Sequence, residues 1–451
     1  MTRFISAPIA DDANVARWVL VFTAAAYSLV LMVAHIVYLD VYWGYYGFKL
    51  HSLTPLEIIV VLIATVGVAA VLPVWLNKPS AVILMTLFLF VYVPTLVITP
   101  GLTEGSFTSH AWVLAALIAV FFLAGLASMA SHPNIGNGVP GKRSIAIAIF
   151  AWSLLAIVLI YTYSGILRFV GVADLYDQRA AGAATNIWIG YAQTYFVLVL
   201  SPFLLTIGLL RKNVLFVIFG ISGFLLMYLI NAQRIVFLIM VAIIAIHFLV
   251  SSRYRLFSST GFYIGSIAVL IALLLIQNLS NPLIREILAL FVFRAIALPG
   301  LTLSQYDNIF AEYGYTWWSH VKGMSSFIAP PDIAQFPQWP SLGYIVGELE
   351  YGNAANNVNA HLFSSDGVAA AGPLGILIIG LVLILILHLL DRFARDWDPK
   401  LTTLMLFPFA FSLTNAPLFT SMLSFGGGFW LIAFLLWRPT SKISSQANDG
   451  P

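Results

Sequence analysis

Residues 374–390 read LGILIIGLVLILILHLL, seventeen positions with a single polar side chain, His388. A helix facing water on one side alternates apolar and charged faces, whereas this one is apolar all round, as a helix immersed in lipid must be. At 1.5 Å per residue it reaches most of the way across a hydrocarbon core of about 30 Å. Lipid is therefore the solvent for this stretch, and the composition extends the conclusion to the chain. Of 451 residues, 61% are hydrophobic and only 9% are charged, against about 25% charged in soluble proteins. Length consequently gives no count of soluble domains. Cysteine is absent, which excludes disulfides, thiolate metal centres and cysteine nucleophiles. The net charge of +3 suggests no nucleic-acid partner.

Working outward, eleven more apolar runs reach or approach span length: 17–38, 56–76, 81–99, 111–130, 145–163, 187–210, 214–230, 235–250, 260–279, 401–415 and 423–437. The last two are short and broken by Asn415, Pro417 and Gly426–Gly428. The first follows Asp11 and Asp12 with no basic leader, so it reads as a retained span. The expected fold is an all-α polytopic membrane protein of about 12 transmembrane helices, one integral domain over 1–451. With the N-terminus inside, 14 of the 21 Lys and Arg residues fall in short inner loops and 7 in the longer outer ones. This positive-inside asymmetry places both termini in the cytoplasm, with a cytoplasmic tail at 439–451.

Residues 281–373, between spans 9 and 10, form an extracytoplasmic subdomain of 93 residues on this reading, far longer than an ordinary connection. Apolar patches at 287–297 and 341–347 suggest short helices on or re-entering the membrane face. The segment holds three basic and seven acidic residues, so any anion site in it must be local.

Arg234, in LINAQRIVF, lies at or below the outer interface, where a cation costs about 2.5–3.5 kcal/mol unless it meets water or an anion. It either snorkels over a tight helical turn or clamps a phosphate, which guanidinium matches bidentately. Arg179, in DLYDQR, pairs locally with Asp174 or Asp177, or else joins Tyr176 in holding a sugar or pyrophosphate. Arg285 and Arg294, nine residues apart in an apolar stretch, are interfacial anchors or members of the same anion site. The run from Glu348 through Asn356, Asn357, Asn359 and His361 to Asp366 is the most polar in the chain. Its mixed donors and acceptors suit sugar hydroxyls, and His361 or Asp366, with Glu348 a weaker candidate, can serve as general base. The alternative is an ordinary turn-rich loop with helix caps.

No P-loop, GxSxG or HExxH motif is present. The only DxD-like string, Asp396-Trp-Asp398, lies on the cytoplasmic side of the expected topology. No metal or cofactor is therefore expected. Acidic residues are nearly absent from the spans, with Glu57 and Asp391 at their ends, which argues against an ion-coupled transporter.

DLYDQR (174–179), NAQR (231–234) before a long apolar helix, NNVNAHLFSSDGVAAAGPLGI (356–376) and the late GGG together resemble the O-antigen polymerase (Wzy-type) family of oligosaccharide repeat-unit polymerases. The resemblance implies a GT-C-like bundle in the bacterial inner membrane. It also implies metal-independent glycosyl transfer at the outer face between undecaprenyl-pyrophosphate-linked oligosaccharides, in contact with membrane lipids and with a chain-length regulator protein as a further partner. Arg179, Arg234, Arg285 and Arg294 would hold the pyrophosphate, Tyr176, Asn356, Asn357 and Asn359 the sugar, and His361, Asp366 or Glu348 would act as base. An O-antigen ligase-like transferase to lipid A core and a lipid-linked oligosaccharide flippase are the competing readings.

Overall fold

The computed structural model describes residues 10–131, 134, 136–171, 174–183, 185–251, 259–437 and 439–440. Of the expected tail, 441–451 lies outside the described residues, as do Arg3, Arg253, Arg255, Arg438 and Lys442 of the basic inventory. In chain order the main helices are α1 (Ala13–Tyr46), α2 (Pro55–Ala69), α3 (Pro79–Gly101), α4 (Ala111–Ala130), α5 (Lys142–Tyr163), α6 (Leu175–Ala181), α7 (Ile187–Arg211) and α8 (Val214–Asn231). They continue as α9 (Ile235–Val250), α10 (Thr260–Leu275), α11 (Pro282–Tyr313), α12 (Leu342–Tyr351), α13 (Phe363–Phe393), α14 (Pro399–Ser412), α15 (Leu418–Ser424) and α16 (Gly427–Leu436). Among the described residues strand pairing is limited to two isolated bridges, Gly138 with Trp397 and Val139 with Thr440.

Eight of these helices (α1, α3, α4, α5, α7, α8, α11 and α13) have the length and composition to cross a membrane, and the bent pair α15–α16 makes nine if counted as one span. α2, α9 and α10 are apolar but shorter. Each of the twelve expected runs lies on a helix, with α2, α9, α10 and α14 shorter than a full span, and the long apolar helix outside those runs is α11. The apolar patch at 287–297, expected as a short helix on or re-entering the membrane face, is the middle of α11. In the fold Arg285 and Arg294 are exposed and the helix is continuous for 32 residues.

Local chemistry sets the helix starts. Thr54 and Glu57 form a capping box ahead of α2, with Pro55 in its first turn. Asn186 accepts from the backbone N–H of Trp188 and Ile189 at α7, Asn281 from that of Leu283 at α11, and Asp398 from those of Lys400 and Leu401 at α14. α3 is buried along its whole length and is the central pole, with α14, α13 and α4 against it. α5 is peripheral and turns Ile147, Phe150, Leu154 and Ile157 outward. An exposed apolar stripe of that kind is tolerable only in contact with lipid or a partner.

The two ends of the bundle differ. At the far end Asp391 of α13 accepts from Ser80 N at 2.8 Å, Ser80 Oγ at 2.7 Å and Ser131 Oγ at 2.6 Å. Lys78 stands beside it, bonded to the carbonyls of Ser128 and Ser131. This buried network ties the start of α3 to the ends of α4 and α13, and the hydrogen bonds offset the cost of burying the charges.

The opposite end carries the long connections and is called the crown end here. α11 runs across it instead of through the bundle. Tyr38, late in α1, donates to Arg285 O; Thr99, at the end of α3, donates to Gly300 O; and His110, at the start of α4, contacts Asp307. All three partners sit at the same end of the bundle, so the α11 residues 285, 300 and 307 do too. Phe293 of α11 stacks on Trp43 with centroids 3.8 Å apart, and Tyr46 stacks on Tyr351 of α12 at 4.9 Å.

α13 contains the feature that positions the site. Its backbone breaks at Ala371 and Gly372, the latter at φ 57°, ψ −136°, a conformation open to glycine and strained for any other residue. Before the break, Phe363 lies beside Phe121 in the middle of α4, and Gly367 abuts Gly375 and Ile376. After it, Gly380 packs on Val120 and the helix runs on to Asp391 at the far end. From 380 to 391 is about 16 Å of helix, so Phe363 enters near mid-depth. Residues 363–371 climb from there to the crown end, and α13 then descends through the full thickness. Part of the segment expected outside the bundle, 363–373, is therefore buried within it.

Candidate functional site

The ascending segment consists of wide π-helical turns over Phe363–Val368, a geometry that cannot use the normal i to i−4 ladder and recurs at functional sites. It carries Asp366 with no exposed surface. Asp366 Oδ1 accepts from His320 Nε2 at 3.3 Å, and Oδ2 accepts from the Phe419 N–H at 3.3 Å. The exposures of the His320 and Asp366 side chains are 7% and 1%. Because Nε2–H is committed to the carboxylate, Nδ1 is the accepting nitrogen, and it faces Thr316 Oγ1 at 2.7 Å. The crown loop, residues 314–341 between α11 and α12, carries His320 and is pinned by backbone bonds from Thr316 N to Ala369 O and from Trp317 N to Ala370 O. Trp317 and Trp318 adopt left-handed φ of 48° and 64°, strained values for aromatic residues that the surrounding contacts must enforce.

A second pair lies alongside. His110 Nδ1 donates to Asp307 Oδ2 at 2.7 Å, and His110 Nε2 accepts from Ser304 Oγ at 3.0 Å. The bonding order is that of a serine–histidine–aspartate nucleophile. Here, however, Ser304 is buried and Asp307 is the more open member, at 13% side-chain exposure. The trio reads as a clamp fastening the start of α4 to α11. Tyr315 lies against Gly372, and burial together with the nearby Asp307 charge pushes its phenol above the usual range.

His361, expected as a base, is fully enclosed: Nε2 donates to Pro299 O at 3.2 Å and lies 3.0 Å from Ser364 Oγ, while buried Nδ1 has no hydrogen-bond partner. Glu348 sits half-buried on α12, one carboxylate oxygen enclosed without a partner. The asparagines fold back along α12. Val358 N donates to Gly343 O, Asn356 O abuts Gly347, and Asn357 and Asn359 are exposed. The turn-rich alternative thus describes the backbone of 353–358. The Tyr176 side chain lies outside the described residues.

The arginines gather elsewhere at the crown end. Arg179 is half-buried on α6, which packs on the end of α8 through Gln178, whose amide donates to the carbonyls of Ile166, Leu229 and Ile230. Arg234 follows α8 and faces Glu286 of α11 at 3.8 Å. Arg285 lies over the Tyr42 ring, 5.7 Å from its centroid, and Arg294 is exposed. Among the described residues no hydrogen bond or ion pair joins Arg234, Arg285 or Arg294 to His361 or Asp366. The crown end thus holds two groupings, arginines around the ends of α8, α1 and α11, and a buried His–Asp centre under the crown loop. Sequence reasoning missed His320, His110 and Asp307. The available signal was that His320 and His361 are the only histidines in 281–373.

Compared with known protein families, curated proteins and solved structures, the chain matches none.

Proposed function

We propose that the chain is a glycosyltransferase of the bacterial inner membrane that polymerises undecaprenyl-pyrophosphate-linked oligosaccharide repeat units into O-antigen or a related surface polysaccharide. The observation that carries the reading is the re-entrant segment that delivers Asp366 into contact with His320 beneath the crown loop. A carboxylate that fixes the tautomer of a histidine and stabilises its cation is the arrangement a general base needs. The crown end would be the outer face, since the basic residues favour the opposite side.

In this account the acceptor sugar hydroxyl takes the place of Thr316 Oγ1 and gives its proton to His320 Nδ1. Its oxygen forms the new bond to the anomeric carbon of the donor, whose bond to the pyrophosphate oxygen breaks. The pyrophosphate departs with the bonding electrons toward the arginine grouping at the ends of α8 and α11, where Arg234, with Arg179 and Arg285, stabilises its charge. Asp366 holds the imidazolium. The lipid tails stay in the bilayer around the bundle.

Replacing Arg234 by alanine tests this in cells that depend on the chain for long glycan. The expected product is single repeat units at normal protein level. Unchanged long chains at normal protein level would remove Arg234 from the mechanism.

A further inference from the structure

Besides the two groupings above, the crown end has a polar cleft of about 340 Å³ between the α1–α2 and α3–α4 connections. Its volume falls in the range of small-ligand pockets, about 300–1,000 Å³. A backbone bond from His51 N to Gly101 O at 2.7 Å joins the two walls. His51, Ser52, Glu57, Thr103 and Glu104 supply polar groups, and Phe107 an apolar face. One oxygen of Glu57 is already committed to Thr54, at 2.7 Å from its N–H and 2.9 Å from its hydroxyl, which leaves the other for a ligand. Among the described residues no lysine or arginine lines the cleft.

We infer that this cleft binds a neutral stretch of saccharide, and so is the seat of the growing glycan beyond the reacting sugar. Paired carboxylate and hydroxyl groups accept from and donate to vicinal sugar hydroxyls, and the Phe107 face meets the apolar side of a sugar ring. With two glutamates and no lysine or arginine in its lining, the cleft disfavours pyrophosphate and uronate. Its location supports the assignment. The connection that lines it with residues 103–107 ends at His110, which is bonded to Asp307 and Ser304 of α11. The cleft and the His110 contacts to α11 thus share the start of α4 at the crown end. The inference rests on the glycan-transfer reading proposed above.

Purified full-length protein in detergent is probed by saturation-transfer NMR with neutral hexose, N-acetylhexosamine and hexuronate tetrasaccharides, and in parallel by a ladder assay on lipid-linked repeat units. Thr103→Trp fills the cleft and Glu104→Gln removes a charge, both at exposed loop positions. Expected are saturation of a neutral tetrasaccharide that is lost in T103W and about tenfold weaker in E104Q, no T103W-sensitive saturation of the hexuronate, and ladders shortened in both variants. Neutral binding and ladders unchanged in T103W would overturn the inference and leave the transfer reading intact. So would hexuronate binding that T103W abolishes as it abolishes neutral binding, or no binding of any saccharide while the wild-type ladder is long. Binding lost in T103W without any wild-type ladder would sustain the cleft and overturn the transfer reading.

Discussion

His320 Nε2 donates to Asp366 Oδ1 across 3.3 Å, joining a crown loop to a re-entrant helical segment 46 residues further along the chain. If this pair is the general base, Asp366→Asn leaves the shape of the site intact but no longer stabilises the imidazolium. Glycan polymerisation should fall by about 10²–10⁴-fold, and His320→Ala should fall as far. His361 is enclosed and should act through folding instead: His361→Ala should lower protein yield together with activity. Rates per mole of purified folded protein separate the two cases.

Arg234 lies 3.8 Å from Glu286 with 28% of its side chain exposed, so an incoming anion has access to it. Lysine supplies charge without the bidentate fork. Arg234→Lys should retain some short chains where Arg234→Ala retains only single units, and chain-length distribution on gels distinguishes them.

Gly372 combines φ 57° with a Tyr315 hydroxyl 2.7 Å from where a Cβ would stand. Gly372→Ala should lower stability by about 1–3 kcal/mol. Tyr315→Ala in the same chain should recover the steric part only. Thermal unfolding in detergent reads both.

Asp391 and Lys78 are buried together at the far end. Asp391→Ala takes the acceptor from Ser80 N, Ser80 Oγ and Ser131 Oγ and should cost about 3–5 kcal/mol, whereas Asp391→Asn, which keeps a carbonyl acceptor, should recover part of it. Equal losses in the two proteins would contradict the network.

The chain has no cysteine, so single cysteines report sidedness directly. Cysteines replacing Arg285 and Glu312 lie near opposite ends of α11. Both should react with an impermeant maleimide from the outside of intact cells, and a cysteine replacing Lys142 should not. Labelling of the α11 pair from opposite sides would show that the helix crosses the membrane.

The apolar runs were legible because lipid demands helices without charges, and α3, α4, α5, α7 and α8 lie almost where the runs do. α11 was not: the patch 287–297 reads as a short helix because polar residues flank it, Arg285 and Glu286 before and Ser304 to Asn308 after, although the helix runs on through both. Nor was the depth of Asp366: its neighbours Ser364, Ser365 and Gly367 read as a surface loop, and only packing against Phe121 and Ile376 shows them inside. The crown site was half legible. Asp366 stood out as a polar residue before a span, but its partner His320 is distant in the chain and is brought close by backbone pairing of 316–317 with 369–370.

The most direct measurement is incubation of the purified protein with undecaprenyl-pyrophosphate-linked repeat units, followed by gel separation of the products. The account predicts a ladder of lengthening glycan with release of undecaprenyl pyrophosphate, reduced to the starting band in Asp366→Asn. Lipid-linked units left unextended by the folded wild-type protein, or a ladder unaffected by Asp366→Asn, would contradict it.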